Sequence, residues 1–105
     1  MMQEPVETPP EFAVVDVPEK RRFEARLGSD TIGFTQYGMR DGMIALLHTE
    51  IDPSVEGRGF GSRLASGILA DVTSRDLTVI VRCPFIASYV ERHRDEYPPS
   101  VEVRR

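Results

Sequence analysis

The sequence predicts a mixed α+β fold with the element order β-β-β-α-β-α. Three observations carry this reading. From Arg21 to Ile51, polar and apolar residues alternate between turn signals, as half-buried strands require. Phe60 to Arg75 places apolar residues at helical spacing behind a glycine-rich loop. Leu77 to Val81 is a short β-branched run that returns to the sheet after that helix. Three antiparallel strands followed by one right-handed β-α-β crossover give a mixed sheet with helices packed on it.

Each element has a local cause. Arg22-Phe23-Glu24-Ala25-Arg26-Leu27 has the two-residue period of a strand, and Gly28-Ser29-Asp30 is turn chemistry. Thr31 to Arg40 is the second strand, with Ile32, Phe34 and Tyr37. Asp41-Gly42 is a hairpin signal that leads into the third, Met43 to Ile51. Ile44, Ala45, Leu46 and Leu47 make that strand apolar on both faces, which places it centrally in the sheet. Pro53 ends it, because proline cannot donate a ladder hydrogen bond. In the following helix Leu64, Ala65, Ile68, Leu69 and Val72 form the inner stripe, opposite Arg63, Ser66 and Arg75. Cys83-Pro84 opens a second helix, where proline is tolerated in the first turn, and Phe85, Ile86, Tyr89 and Val90 form its stripe. Beyond His93 the chain reads as irregular, with Val101 and Val103 able to add a short strand.

The chain has 105 residues, enough for one domain, and a formal net charge of −4. Residues 1–19 hold five acids, no base and four of the eight prolines. Removing those five from the 17 acids leaves 12, against 13 basic residues, so the remainder is near neutral. Residues 1–19 therefore read as an acidic, proline-rich, loosely attached tail, with an apolar cluster at Phe12 to Val15 able to touch the body. Residues 20–105 read as the folded domain. The charge argues against a nucleic-acid partner, and no apolar stretch approaches the roughly 20 residues of a membrane span. A single cysteine excludes an internal disulfide framework. No signal peptide is visible, and the expected location is cytoplasmic.

The loop Glu56-Gly57-Arg58-Gly59-Phe60-Gly61 joins the third strand to the first helix. Glycine lets successive backbone N–H groups converge and lets a ligand approach the main chain. The helix N-terminus adds partial positive charge, so the arrangement suits a phosphate or pyrophosphate. Arg58 and Arg63 are available to supplement it. The loop lacks the Gly-Lys-Ser/Thr of a P-loop, and from Gly57 the sixth position is Ser62, not the glycine of a dinucleotide fingerprint. A purely structural tight connection is the alternative. One Cys and two His give no metal-ligand spacing, so no metal is expected.

The element order and this loop resemble the acetyl-CoA-binding segment of the GNAT superfamily of N-acetyltransferases. In its Gln/Arg-x-x-Gly-x-Gly/Ala form, Gly59 and Gly61 match the glycines, and Glu56 replaces the usual Gln or Arg. The set Leu47-His48-Thr49-Glu50, the glycine loop, Cys83-Pro84-Phe85 and Tyr89 to Tyr97 resembles a compact single-domain subgroup. That subgroup usually ends in His-Pro-Glu-Tyr, whereas here His93-Arg94-Asp95-Glu96-Tyr97 is longer and lacks the proline. The match covers roughly Arg22 to Tyr97.

The resemblance implies that acetyl-CoA binds with its pyrophosphate on Gly57, Arg58, Gly59, Phe60, Gly61 and Ser62. Its pantetheine arm would run beside the backbone of Thr49, Glu50 and Ile51, where the third and fourth strands splay apart. It also points to His48 and Cys83 as the active-site pair, with Glu50 as a rival base. The implied reaction is acetyl transfer to a primary amine, on a protein lysine or a small molecule. His48 would act as base or relay and Cys83 as acid, or Cys83 would carry the acetyl group transiently. Each has a plainer reading: a hydrogen-bonded strand histidine, a small buried hydrophobe and a solvated strand-end acid. Arg92, His93 and Arg94 form a basic helix end. A non-catalytic CoA-binding or protein-interaction module is the alternative function.

Overall fold

A computed structural model describes residues 11–104 of the chain. It contains strands β1 (Phe12–Val17), β2 (Arg22–Leu27), β3 (Asp30–Arg40) and β4 (Met43–Ile51). Helix α1 (Phe60–Ser74), β5 (Thr78–Val81), α2 (Pro84–Arg92) and β6 (Val101–Val103) follow. They form one six-stranded sheet in sequence order. β1 to β4 are antiparallel neighbours, while β5 is parallel to β4 and β6 is parallel to β5. β4 therefore lies inside the sheet, as its apolar run requires.

The expected order β-β-β-α-β-α is present as β2 to α2, with one strand added at each edge. The added N-terminal strand corrects the expectation of a loose segment up to residue 19. Phe12–Val17 pairs along its whole length with β2, from Phe12 opposite Leu27 to Val17 opposite Arg22. Its cause lies in the apolar cluster: Val14 packs against the α1 backbone at Gly67, and the Phe12 ring stacks on Phe60 at 5.6 Å. Residues 1–10 of the expected tail lie outside the described residues.

Both helices cover the same face of the sheet, as two successive right-handed crossovers in one direction demand. The core lies between them and the strands. Leu64, Ile68, Leu69 and Val72 of α1 and Ile86 and Val90 of α2 meet Phe23, Ile44, Leu46, Val79 and Val81. Among the described residues no helix covers the other face. There Glu24 is buried between Arg22 and Arg26, which donate to it at 2.8 and 2.9 Å. The Arg22 guanidinium also lies over the Phe34 ring, 4.7 Å from its centre.

Candidate functional site

A β-bulge in β4 arranges the site. Gln36 faces His48 and Tyr37 faces Leu46, so Leu47 has no opposite residue on β3. An extra residue reverses the side-chain phase of everything after it. Ile44 and Leu46 point into the core, but beyond Leu47 it is Thr49 and Ile51 that face the helices. His48 and Glu50 face the open side.

The bulge separates the residues that the sequence grouped. Cys83 caps the N-terminus of α2, is 2% exposed, and donates its thiol hydrogen to Thr49 Oγ1 at 3.1 Å. His48 lies across the sheet from it. Its Nε2 is 3.4 Å from Glu50 Oε1, and its ring meets Phe34 edge-on at 6.4 Å. Both members of the His48–Glu50 pair are more than half exposed. The structure thus brings His48 to Glu50 and Cys83 to Thr49, but does not bring His48 to Cys83.

The sheet opens beside this bulge. β5 runs parallel to β4 only from Met43–Thr78 to Leu46–Val81. The Leu46 carbonyl then accepts from both Arg82 and Cys83, at 2.9 and 3.0 Å, and the strands part. β4 continues alone to Ile51 on that side. The Asp52 N–H bonds to Ile32 on β3, so strand alternation turns the backbone groups of Thr49 and Ile51 toward the gap.

The glycine loop closes the end of this gap. Asp52 accepts from the Ser54 N–H at 2.9 Å, which turns the chain and holds the Asp52 carboxyl below its usual pKa. Gly57 and Gly59 both have φ of +80°, a conformation that side chains oppose. A Cβ at either would meet nothing within 4 Å, so the space above the loop is open. Gly59 caps α1 without a side-chain hydrogen bond, and the first helical bond runs from Arg63 N–H to Gly59. The N–H groups of Phe60, Gly61 and Ser62 thus have no intrahelical acceptor and are available to an anion. Arg58 lies 5.4 Å from the Phe60 ring centre and Arg63 lies 4.3 Å from that of Phe12. Both guanidinium groups are held beside the loop on aromatic faces.

Two cavities meet at the end of β4. One, of about 420 Å³, lies between Gly57, Gly59, Ser62 and Phe85. The other, of about 560 Å³, lies between Thr31, Phe34, Glu50 and Asp52. Thr49, Ile51 and Glu56 line both. The second has three carboxylates in its wall, from Glu50, Asp52 and Glu56, and no basic side chain. Neither His48 nor Cys83 lines either cavity.

Sequence reasoning missed Thr35. It is fully buried, faces Thr49 across the β3–β4 ladder, and its hydroxyl lies 2.8 Å from that of Thr49. A threonine in a strand carries no distinguishing signal; only the pairing register reveals it. At the predicted basic helix end, His93 Nδ1 lies 2.6 Å from Glu96, and Arg94 donates to the carbonyls of Val101 and Pro98. Arg94 thereby ties β6 and the turn before it to the segment that follows α2. Among the described residues no cluster of His, Cys, Asp and Glu is arranged to hold a metal. No described helix is long and apolar enough to cross a membrane.

A mixed sheet that splays beside a glycine-capped helix is an arrangement suited to an extended, phosphate-bearing ligand. A family model described as GCN5-related N-acetyl-transferase matches residues 22–100, and the chain belongs to that family. Acetyl transfer, typically from acetyl-CoA, is the reaction of the family. A comparison with curated proteins gives no match. The family match spans β2 to α2 and stops short of both edge strands.

Proposed function

We infer that this chain transfers the acetyl group of acetyl-CoA to a primary amine. The observation that carries the reading is the pair of cavities meeting at Thr49, Ile51 and Glu56, one beside the glycine loop and one beside Glu50. A two-substrate reaction needs such an arrangement, with donor and acceptor reaching one point from different sides. The open φ-positive glycines and free N–H groups of α1 fit a pyrophosphate. The outward backbone of Thr49 and Ile51 fits an amide-bearing arm that pairs as an added strand would. The carboxylate wall of the second cavity fits a cationic amine.

Within this reading Glu50 takes the proton of the attacking amine. It lines the acceptor cavity, while His48 stands 3.4 Å behind it as its partner. Cys83 reaches the cavities through Thr49, which gives the covalent route little support. Acetyl-CoA and CoA titrated calorimetrically against the protein, with NAD as control, test the donor site. Gly59→Asp, which puts a like charge beside the phosphates, abolishes binding. No heat with either CoA species on the wild type would discard the reading. Tight binding without acetylation of any amine in a panel would favour the CoA-binding module.

A further inference from the structure

Thr49 is joined to two buried donors. Its Oγ1 lies 2.8 Å from the Thr35 hydroxyl and 3.1 Å from the Cys83 sulfur. Thr35 is 0% and Cys83 2% exposed, and neither lines either of the two cavities. Thr49 is half-buried and lines both cavities.

The direction of the Thr35–Thr49 bond follows from what each hydroxyl has available. Among the described residues, Thr49 Oγ1 is the partner the Thr35 hydroxyl finds. Were Thr49 the donor, the Thr35 hydrogen would be buried with no acceptor, an arrangement folded proteins avoid. Thr35 therefore donates, as does the Cys83 thiol. A hydroxyl oxygen has two lone pairs, and these two donors occupy both. The Thr49 hydrogen is left to turn away from the core, toward the cavities.

We propose that this hydrogen meets the thioester sulfur, making Thr49 a catalytic residue that stabilises the leaving thiolate. Thr35 and Cys83 are then positioning residues. The proposal rests on the acetyl transfer proposed above. As the bond from amine nitrogen to carbonyl carbon forms and the carbon–sulfur bond breaks, the electron pair moves onto sulfur, where the Thr49 O–H is already aimed. The amine proton passes to Glu50 and leaves through water, which also supplies the proton that finally rests on CoA. A donor fixed in advance needs no reorganisation when charge develops, and the donors behind it strengthen it by polarisation. Cys83 thus acts through the Thr49 oxygen.

The test uses the full chain carrying Cys83→Ser, which keeps a hydroxyl donor behind Thr49 and removes the single protein thiol. CoA is then the sole thiol, and the ultraviolet absorbance of its thiolate reports its ionisation when bound. Adding Thr49→Val shifts that ionisation up by about one pH unit, a tenfold change in equilibrium. Thr49→Ser leaves it in place, and Thr35→Val gives a smaller shift in the same direction. In otherwise wild-type protein, Thr49→Val lowers kcat about tenfold or more, with KM for acetyl-CoA within about twofold. Equal ionisation of bound CoA with and without the Thr49 hydroxyl overturns the proposal, even if activity falls. Where Thr49→Val does not fold, unchanged ionisation in Thr35→Val does the same. Failure of CoA to bind wild-type protein overturns the proposed function, and this proposal with it.

Discussion

Tyr37 on β3 donates its phenolic hydrogen to Asp16 on β1, 2.6 Å away, reaching past the strand between them. Arg75, at the end of α1, approaches the same carboxylate at 3.6 Å. An edge strand is thereby tied to both layers of the fold. Removing the hydroxyl in Tyr37→Phe is predicted to cost about 1–2 kcal/mol, since it leaves Asp16 short of a charge-assisted bond. Denaturant unfolding measures it, and an unchanged midpoint would refute the role.

The same tyrosine predicts loss of stability in alkali. Burial, helped by the hydrogen bond to Asp16, pushes its pKa from 10.0 to about 12. Above pH 10 the unfolded chain releases this proton while the folded chain retains it, so ν_U falls below ν_N and stability decreases. The contribution is present below about pH 10 and lost as pH rises to about 12. Tyr37→Phe should flatten that part of the stability profile; a parallel profile would contradict the assignment.

Glu24 predicts the opposite limb. Its hydrogen bond from Arg22 lowers its pKa most, against the opposing effect of burial, and Arg26 adds to the lowering. The unfolded chain takes up the proton first as pH falls, so the stabilisation is present above the unfolded value near 4.5 and lost through the lower folded one. Thermal unfolding across the acid range should be less pH-dependent in Glu24→Gln than in wild type.

Two helical glycines should answer differently to alanine. A Cβ at Gly67 would lie 2.5 Å from a Val14 methyl, and one at Gly61 would overlap the tip of the Phe85 ring. Phe85 is 40% exposed and can swing aside, whereas Val14 is fixed in β1. Gly67→Ala is expected to destabilise by about 1–3 kcal/mol, with Val14→Ala restoring part of the loss in a double-mutant cycle. Gly61→Ala should fold normally. An unchanged stability in Gly67→Ala would show that the β1–α1 contact is not tight.

Glu50→Gln is predicted to lower kcat about a hundredfold or more, the usual effect of losing a general base. His48→Asn should cost less, about tenfold, because His48 borders neither cavity. The reverse ranking in steady-state kinetics would return the base to His48.

Most of the fold was legible in the residues, because turn glycines and the change from strand to helix period punctuate the chain. β1 was hidden by its neighbours: Pro18 and the surrounding acids suggest a tail, whereas Val14 and Phe12 have a helix to pack on. The glycine loop was legible because its φ-positive positions require glycine. The spatial grouping of the candidate site residues was not. Ile44 to Leu47 is apolar throughout, so no alternation marks Leu47 as the extra residue that puts Thr49, rather than His48, on the helix-covered face.

The connections also set an order of assembly. Two-residue turns at Gly28-Ser29 and Asp41-Gly42 join β2, β3 and β4, whereas all of residues 52–77 must be gathered before β5 can lie beside β4. Contacts near in sequence close quickly, and those that span a long connection close late. A chain stalled after its hairpins would hold much of its sheet and nothing to bind with. Ligand binding would then report on the completed chain alone, and any ligand of the gap would favour that state by mass action.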